Sequence, residues 1–513
     1  MVIKVVLLIV FFAIMIGVGV YTRKAATDVN GFVLGGRSVG PWLTAFAYGT
    51  SYFSAVVFVG YAGQFGYKYG LSATWIGIGN AVIGSLLAWI VLGRRTRVMS
   101  KHLNSATMPD FFGKRYHSNA IRIAAALIAF IFLIPYTSSV YNGLSRLFGM
   151  AFNIPYSVCV IAMAVLTGVY VILGGYMATA VNDFIQGIIM LIGIVAVIVG
   201  VLNGNGGFIE AYKTLSQMES DVAVTEGLQG AFVSFFGPDP VNLLGVVILT
   251  SLGTWGLPQM VQKFYAIKDE RSIKTGTIIS TFFAFVIAGG CYFLGGFARL
   301  VDVTEITVNG SLAYDAVIPS MLSKLPDILI GVVVVLVLSA SMSTLSSLVL
   351  TSSSILTLDL IKGSISKNMN EKKQLFVMRV LIVFFIVLSV VLALDPPTFI
   401  AQLMGISWGA LAGAFLAPLA YGLYWKGVTR AGVWAGFVAG VGITVANIFA
   451  KWTSPINAGA ISMIAGLVVV PLVSFITPKL EKGEIDFSFK CYDKKPVIEK
   501  KIALPEDLVA EEK

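Results

Sequence analysis

A run of hydroxyl side chains is the first feature of the sequence that suggests a ligand site. Between Ser339 and Ser354, ten of sixteen residues are Ser or Thr. Three of them, Ser343, Ser346 and Ser347, are spaced so that a helix places them on one face. Hydroxyl oxygens suit a hard cation such as Na⁺, since they bring little net charge that must be desolvated. Small hydroxyl residues also let membrane helices pack closely, and taken alone the run favours packing.

The second feature is a carboxylate inside an apolar stretch. Asp183 follows the pair Gly174-Gly175 and precedes a long uncharged run. A charged side chain at membrane depth is costly unless it meets a cation or hydrogen-bond donors. Alternatively, a turn at the two glycines lifts Asp183 to the cytoplasmic interface, where it caps the following helix. The sequence leaves cation binding and capping equally open.

These residues must be positioned by helices that cross a membrane. Of the 513 residues, 57% are hydrophobic and 12% are charged, and the mean hydropathy is +0.87, which excludes a soluble globular domain. A transmembrane helix needs about 20 apolar residues. Uncharged runs of that length recur from residues 5–21 to residues 458–476 and predict an all-α integral membrane protein with about thirteen spans. Residues 1–478 form one transmembrane domain in this prediction, and residues 479–513 form a short charged cytoplasmic tail.

Two of the predicted spans, spans 2 and 7, are interrupted. Span 2 contains Gly49-Thr50-Ser51-Tyr52-Phe53-Ser54, and span 7 contains Gly253-Thr254-Trp255-Gly256-Leu257-Pro258. Glycine is unfavourable inside a helix and proline removes a backbone donor, so both spans should unwind near the bilayer midplane. Interrupted helices five spans apart are typical of an inverted repeat, here spans 2–6 against spans 7–11, with substrate and ion bound where the breaks meet. The alternative is two ordinary kinked helices.

The basic residues indicate how the chain is oriented. The net charge is +10, and most of the 36 Lys and Arg residues fall in alternate loops, among them Lys263 and Lys268 after span 7. Cytoplasmic loops carry an excess of positive charge, so the N-terminus is predicted outside and the C-terminus inside a multi-pass cell-membrane protein. The charge therefore reflects topology, and nucleic acid is not an expected partner.

Metal, redox and nucleotide chemistry have no support in the sequence. Cys159, Cys291 and Cys491 are far apart, and the two histidines, His102 and His117, lie in one polar loop. The sequence also has no glycine-rich phosphate loop that ends in Lys and Ser or Thr. We therefore expect neither an enzyme nor a bound cofactor.

The order and spacing of several short motifs resemble the sodium/solute symporter family, in particular its bacterial proline and pantothenate branches. The motifs are Leu34-Gly35-Gly36-Arg37-Ser38, Gly174-Gly175, Asn182-Asp183, Gly256-Leu257-Pro258, Met342-Ser343-Thr344-Leu345-Ser346 and Gly422-Leu423-Tyr424-Trp425. The resemblance implies a thirteen-helix protein with the inverted-repeat core of leucine-type transporters. It also implies Na⁺ as the coupling ion.

The resemblance further implies where ions bind. A first Na⁺ site would use the backbone carbonyls of Thr50, Phe53 and Ala340 with the hydroxyls of Ser343 and Thr344. A second site, present in some members, would use Asp183, Ser343, Ser346 and Ser347. The serine after Ser346 is absent from the proline branch, so the second ion stays an open question.

Polar and aromatic residues near the breaks are the candidate solute contacts, namely Ser54, Tyr136, Ser251, Thr254, Trp255, Gln259 and Trp408. Trp255 is the sharpest candidate, because its indole ring can cover a ligand while its N–H donates. Tyr52 stands where the proline branch has an aspartate and the pantothenate branch a tyrosine. The loss of that charge weakens the case for proline, and the tyrosine favours a small carboxylate-bearing solute. The predicted solutes are pantothenate, an amino acid such as proline, or a monocarboxylate.

The predicted function is Na⁺-coupled import of such a solute by alternating access. Expected partners are the solute, Na⁺ and the lipid bilayer. One alternative is a proton-coupled transporter of the same fold, in which Asp183 titrates. The other is a membrane sensor or channel, although the segment after span 13 is too short for a signalling domain.

Overall fold

The protein is a bundle of helices. The computed structural model describes residues 2–308, 310–366 and 368–493. The helices of the first half are α1 (Val2–Thr22), α2 (Val29–Leu34), α3 (Pro41–Tyr52), α4 (Ala62–Tyr69), α5 (Thr74–Gly79), α6 (Arg94–His102), α7 (Met108–Arg115), α8 (Asn119–Phe152), α9 (Tyr156–Gly204) and α10 (Phe208–Gln217). Those of the second half are α11 (Pro240–Gly256), α12 (Pro258–Ala266), α13 (Glu270–Gly295), α14 (Val317–Ser323), α15 (Asp327–Ile355), α16 (Glu371–Leu394), α17 (Ile400–Tyr424), α18 (Arg430–Ala450), α19 (Pro455–Ile476) and α20 (Lys482–Phe489).

Four π-helical segments connect or extend these helices, and they cover Val56–Tyr61, Asn80–Leu87, Trp89–Gly93 and Leu356–Ile365. A π-helical turn shifts backbone carbonyls out of the regular α-helical ladder and is frequent at functional sites. A short antiparallel hairpin, β1 (Thr307–Val308) and β2 (Ser311–Leu312), lies in the loop before α14. Because each strand of this hairpin has two residues and the other described elements are helices, the predicted all-α class is confirmed.

The number of membrane crossings differs from the predicted thirteen. Within the described ranges, ten helical stretches are long and apolar enough to span a membrane, or eleven if the bent pair α11 and α12 is one span. Two of the ten contain 47 and 49 residues. At about 1.5 Å per residue, such stretches are roughly twice as long as a hydrocarbon core requires. Each stretch contains a glycine with positive φ, Gly70 (62°) in the first and Gly175 (55°) in the second. The predicted thirteen spans are obtained only if each stretch is divided into two spans at its glycine.

Burial separates the central helices from those that face lipid. The spans built on α15 and α17 are 78% and 89% buried, whereas the first span is 22% buried. Helix α15 packs against α8 and α9, and α17 packs against α8, α11, α18 and α19. The hydroxyl-rich helix is thus central, as a ligand-binding helix must be.

Both predicted interruptions are present. Helix α3 ends at Tyr52, and Phe53 is extended, with φ −98° and ψ 107°. Helices α11 and α12 are separated by Leu257, which is also extended, and their axes bend by 46°. Pro258 begins α12, where its missing N–H is tolerated. The two broken spans therefore expose backbone carbonyls inside the protein, because the last carbonyls of a helix have no partner within it.

Part of the predicted cytoplasmic tail is folded against the bundle. Glu484 in α20 forms an ion pair of 3.2 Å with Arg430, and the hydroxyl of Tyr492 donates to the carbonyl of Arg95 over 2.9 Å. Residues 494–513 of that tail lie outside the described residues.

Candidate functional site

The break in α3 lies directly against the hydroxyl-rich face of α15. The Ser343 hydroxyl is 3.1 Å from the Thr50 carbonyl and 3.1 Å from the Ala340 carbonyl. The Thr344 hydroxyl is 3.2 Å from the Thr50 carbonyl and 3.1 Å from the Ala340 carbonyl. The structure thus brings together four of the five oxygens predicted for the first Na⁺ site.

The fifth predicted ligand, the carbonyl of Phe53, belongs to the extended residue after α3. Phe53 and Ala340 line the same small cavity of about 10 Å³, so the two backbones are neighbours. Two ligands of a hard cation with metal–oxygen distances of about 2.4 Å lie about 3.4 Å apart. The oxygens of this cluster are close to that spacing, and no charged group lies among them. Small outward shifts of the hydroxyls would admit an ion.

The predicted second site has a different composition. The ammonium Nζ of Lys263 donates to the Ser347 hydroxyl over 3.0 Å and lies 3.9 Å from the Asp183 carboxylate. The Ser346 hydroxyl donates to the Ser343 carbonyl of its own helix over 2.9 Å. The hydroxyls of Ser347 and Ser51 are 2.7 Å apart. Two of the four predicted ligands, Asp183 and Ser347, are therefore contacted by a lysine that the sequence analysis assigned to a cytoplasmic loop.

The position of Lys263 corrects that assignment. It lies in α12, five residues after Pro258, and it is 1% exposed. Its neighbour Lys268 lies beyond the end of α12 and is exposed. A signal was available, because a lysine so close to a midplane break is near a membrane-embedded site. Asp183 also differs from one expectation, since it lies inside α9, eight residues beyond the break at Gly175, and does not cap a helix.

Buried aromatic side chains cluster around the break in α3, next to the predicted first Na⁺ site, and we call this cluster the chamber. The rings of Tyr52 and Trp408 are stacked with centroids 5.5 Å apart, and Tyr136 meets Trp408 edge-on at 5.7 Å. The Tyr52 hydroxyl donates to the Thr250 carbonyl at 2.7 Å, which ties α3 to α11. Two predicted solute contacts, Tyr136 and Trp408, are therefore adjacent.

Five polar atoms of this chamber are buried without a hydrogen bond of good geometry among the described residues, although Tyr136 lies close to Trp408 and Tyr292 lies close to Asn80. They are Trp408 Nε1, Tyr136 Oη, Tyr61 Oη, Tyr292 Oη and Asn80 Nδ2. The phenol groups of Tyr61, Tyr136 and Tyr292 all lie within electrostatic reach of Tyr52. A buried donor without a partner costs about 1–3 kcal/mol, so each of these atoms favours a bound ligand or water. Sequence analysis missed Tyr61, Asn80 and Tyr292, which are single polar residues in apolar runs.

Three other predicted solute contacts, Ser251, Gln259 and Ser54, differ in their hydrogen bonds. The Ser251 hydroxyl donates to the Asn80 side chain over 3.3 Å, which places it at the edge of the chamber. Gln259 is fully buried and neither polar atom of its amide has a partner among the described residues. The Ser54 hydroxyl instead accepts from the Val56 N–H at 3.1 Å and restarts the helix after the break.

Thr254 and Trp255 do not face the chamber in this structure. The Thr254 hydroxyl donates to the Gly84 carbonyl at 3.0 Å, and the indole N–H of Trp255 donates to the Ile83 carbonyl at 2.9 Å. Both carbonyls belong to a π-helical segment that leaves acceptors outside the regular ladder. The Trp255 N–H therefore has an acceptor within the protein, and its contact with the solute stays a prediction.

A cavity of about 410 Å³ leads toward the chamber from the side predicted to be extracellular. Gln64 and Val246 line it, and they lie one helical turn from Tyr61 and Thr250 of the chamber. Lys68 lines this cavity, and its ammonium lies 5.2 Å from the centroid of the Tyr314 ring. The chamber thus lies below an open cavity on one side.

On the opposite side a latch joins the start of α3 to the end of α12, and a cavity of about 850 Å³ that Arg37 helps to line lies beside it. The Val39 N–H donates to the Ala266 carbonyl at 3.2 Å, and the Lys268 N–H donates to the Val39 carbonyl at 3.0 Å. Arg37 donates to the Tyr265 carbonyl at 3.3 Å. Burial lowers the pKa of Arg37 to about 10, which still leaves the guanidinium charged at neutral pH. The latch joins the two broken spans on the side predicted to be cytoplasmic.

Known proteins share this fold and sequence. The chain is 30% identical over 494 residues to the sodium/proline symporters of Staphylococcus aureus strains JH9 and NCTC 8325, with 93% of this chain and 92% of each relative covered. A Na⁺-coupled sialic acid symporter, solved in a substrate-bound outward-open state, matches 93% of the chain and 99% of its own length at a TM-score of 0.73 and 16% identity. Mhp1, a nucleobase-cation-symport-1 transporter solved in a closed conformation, matches 89% of the chain and 97% of its own length at a TM-score of 0.52 and 14% identity.

These structural neighbours share the inverted-repeat, leucine-transporter-like fold that the two interrupted spans predict. The sequence model of the sodium:solute symporter family matches residues 32–440, which include both broken spans and the hydroxyl-rich helix. The protein is therefore a multi-pass membrane transporter and not an enzyme, and the chain belongs to the sodium:solute symporter family.

Proposed function

We propose that this protein imports a small carboxylate-bearing solute together with Na⁺ by alternating access. The observation that carries the proposal is the cluster of uncharged oxygens between α3 and α15, in which the Thr50 and Ala340 carbonyls meet the Ser343 and Thr344 hydroxyls at 3.1–3.2 Å. Carbonyl and hydroxyl oxygens are suitable ligands for a hard cation. The relatives named sodium/proline symporters favour the same ion.

The Na⁺ site couples to the solute site through the break in α3. Thr50 supplies an ion ligand, and Tyr52, two residues later, forms one wall of the aromatic chamber. An ion that holds Thr50 against α15 therefore also fixes the Tyr52 ring against Trp408. By linkage, the factor by which Na⁺ raises solute affinity equals the factor by which solute raises Na⁺ affinity.

The chemistry of the chamber favours a carboxylate. Each of its unsatisfied groups can donate a hydrogen bond, namely the hydroxyls of Tyr61, Tyr136 and Tyr292, the amide of Asn80 and the indole of Trp408. A carboxylate accepts several hydrogen bonds and donates none, so it matches a donor-rich wall. Tyr52 adds no negative charge to repel it. Proline, which the named relatives carry, and pantothenate both contain this group.

Alternating access is supported by the two ends of the pathway. A cavity of about 410 Å³ lies on one side of the chamber, and on the other side Arg37 and Val39 hold α3 to α12 beside a cavity of about 850 Å³. Import follows if the open side is extracellular, as the positive-inside orientation with an external N-terminus in the cell membrane predicts. Release would require the latch between α3 and α12 to separate.

The test is uptake into proteoliposomes that contain the purified protein. Radiolabelled pantothenate, proline, short monocarboxylates and a sugar are offered under an inward Na⁺ gradient, under choline, and under a proton gradient without Na⁺. We expect one carboxylate to accumulate only with Na⁺, while the sugar is excluded. Accumulation driven by the proton gradient alone would contradict Na⁺ coupling, and accumulation of the sugar in place of the acids would contradict the assigned solute class.

A further inference from the structure

The ammonium of Lys263 lies where the predicted second Na⁺ would lie. It contacts the Ser347 hydroxyl at 3.0 Å and faces the Asp183 carboxylate at 3.9 Å, and these two residues are predicted ligands of that ion. It also lies 5.1 Å from the centroid of the Tyr176 ring, a distance at which an aromatic face attracts a cation. Oxygen, carboxylate and aromatic face together surround one positive charge.

This arrangement differs from an ordinary structural salt bridge. A charge-assisted pair inside a protein closes to about 2.7–2.9 Å. Here the ammonium and the carboxylate stay 3.9 Å apart, and neither oxygen of Asp183 has a hydrogen-bond partner among the described residues. Lys263 bonds instead to the hydroxyl network of Ser347 and Ser51. The lysine ammonium therefore lies where a hydroxyl-bound cation would lie. From that position it supplies the positive charge that balances the Asp183 carboxylate.

The charge balance of the site is complete with the lysine in place. Asp183 and Lys263 are 0% and 1% exposed, and one carboxylate and one ammonium sum to zero. A Na⁺ added to the same place would lie against the ammonium, and like charges a few ångströms apart inside a protein repel strongly. Lys263 and a second Na⁺ therefore exclude each other at this site.

We propose that Lys263 is a tethered cation that takes the place of a second Na⁺ between Asp183 and Ser347, so that the protein couples a single Na⁺ to each solute. The proposal rests on the proposed Na⁺ symport and defines its stoichiometry. Because the ammonium is covalently attached to α12, it cannot dissociate with the solute. An anionic solute with one carboxylate would then cross with no net charge, and a zwitterionic one with a single positive charge.

The tethered cation is also linked to the predicted first Na⁺ site through two residues, Ser347 and Ser51. Ser51, bonded to Ser347, directly follows Thr50, whose carbonyl belongs to the first Na⁺ site. Ser347 lies one turn beyond Ser343 on the same helix. The position of Lys263 therefore bears on the geometry of the first site through two residues.

The decisive measurement is the number of Na⁺ ions bound per chain, from equilibrium binding of radiolabelled Na⁺ to the purified protein. We expect one ion for the wild type and two for Lys263→Met, which keeps the aliphatic stem and removes the charge. The Hill coefficient of Na⁺-dependent uptake should rise from about 1 toward 2 in that variant. The charge moved per solute, from the reversal potential in proteoliposomes, should rise by one.

Two controls separate the charge from the side chain. Lys263→Arg keeps a cation and should bind one Na⁺, and the double variant Lys263→Met/Asp183→Asn removes the carboxylate and should also bind one. Lys263→Gln replaces Lys263→Met if the latter does not purify as a monodisperse protein. Two ions in the wild type, or one ion in a folded Lys263→Met and Lys263→Gln, would overturn the tethered cation. No Na⁺ bound to the wild type, with uptake independent of Na⁺, would instead overturn the proposed symport.

Discussion

Two predicted cation positions lie one helical turn apart on α15, and they are built in opposite ways. Around Ser343 and Thr344, every nearby ligand is a neutral carbonyl or hydroxyl. Around Ser347, the carboxyl group of Asp183 faces the amine of Lys263 at 3.9 Å. The first position is suited to an ion that binds and dissociates in each transport cycle, because no cationic side chain among the described residues bonds to its oxygens.

The comparison shows how a transporter can set the number of ions that it couples. A buried carboxylate requires a counter-charge, and either a dissolved ion or a side chain meets that requirement. A dissolved ion leaves with each cycle and contributes its gradient. A side chain meets the requirement permanently and contributes none.

The charged position should depend on both of its partners for stability. Asp183→Asn leaves the Lys263 ammonium buried without a counter-charge, and breaking a buried pair in this way costs about 3–5 kcal/mol. We expect a large fall in the unfolding temperature of the purified protein and a partial recovery in Lys263→Met/Asp183→Asn. Thermal unfolding in detergent, compared between the single and double variants, measures this coupling. Equal stability of Asp183→Asn and the wild type would show that the two charges do not depend on each other.

A buried carboxyl that has no lysine provides a contrast to Asp183. Asp315 lies in the loop before α14, outside the spans, and accepts from the Ile400 N–H at the start of α17 at 3.3 Å. Burial raises the pKa of this carboxyl to about 6, while the nearby Ile400 N–H and Arg146 lower it in part. The folded protein thus binds a proton more readily than the unfolded chain, whose Asp has a pKa near 3.9.

The sign of the resulting pH dependence follows from linkage. Between about pH 6 and pH 4 the folded state holds more protons, so stability increases as the pH falls through this window. Above pH 6 the charged Asp315 costs about 2–3 kcal/mol, since each pKa unit corresponds to about 1.4 kcal/mol. Asp315→Asn should raise the unfolding temperature at pH 7.5 and reduce its change between pH 6 and 4. Unfolding curves at several pH values check this, and a lower stability of Asp315→Asn at pH 7.5 would contradict it.

The outcome for the fold shows what local sequence determines. Both interruptions were predicted from Gly and Pro, and the structure has them at Phe53 and Leu257. This succeeds because the loss of a backbone donor and the cost of glycine act locally. The number of crossings was less well determined, because the breaks at Gly70 and Gly175 lie inside long helical stretches whose division depends on tertiary packing.

The candidate site shows a similar division. The convergence of Thr50 with Ser343 and Thr344 was anticipated through motif resemblance, since neither segment indicates its partner. Lys263 was assigned to a loop because hydropathy does not locate the membrane surface within a short polar segment. The partner of Trp255 was missed because the free acceptor at Ile83 arises from a π-helical turn, which hydropathy does not reveal.

The neutral position is tested through Na⁺ affinity. Ser343→Ala and Thr344→Ala each remove one ligand oxygen, and we expect each to raise the Na⁺ concentration for half-maximal uptake about tenfold, equivalent to ~1.4 kcal/mol. Ser354→Ala is the matched control on the same helix, because its buried hydroxyl bonds only to the Leu350 carbonyl in α15. Uptake measured over a Na⁺ titration gives the three values. Unchanged Na⁺ dependence in both site variants would make these hydroxyls packing groups.

Two tryptophans give the smallest and most local test. As with the two cation positions, one of them is expected to bind a ligand and the other is bonded within the protein. The indole N–H of Trp408 has no hydrogen bond of good geometry among the described residues and lies close to the Tyr136 hydroxyl, whereas that of Trp255 donates to the Ile83 carbonyl. Trp408→Phe keeps the aromatic face and removes the donor, so the solute KM should rise about threefold to tenfold, following a net 0.5–1.5 kcal/mol per hydrogen bond. Trp255→Phe should lower the unfolding temperature slightly and leave the solute KM unchanged. Solute titrations at saturating Na⁺ distinguish the two, and the reverse ranking would return Trp255 to the solute site.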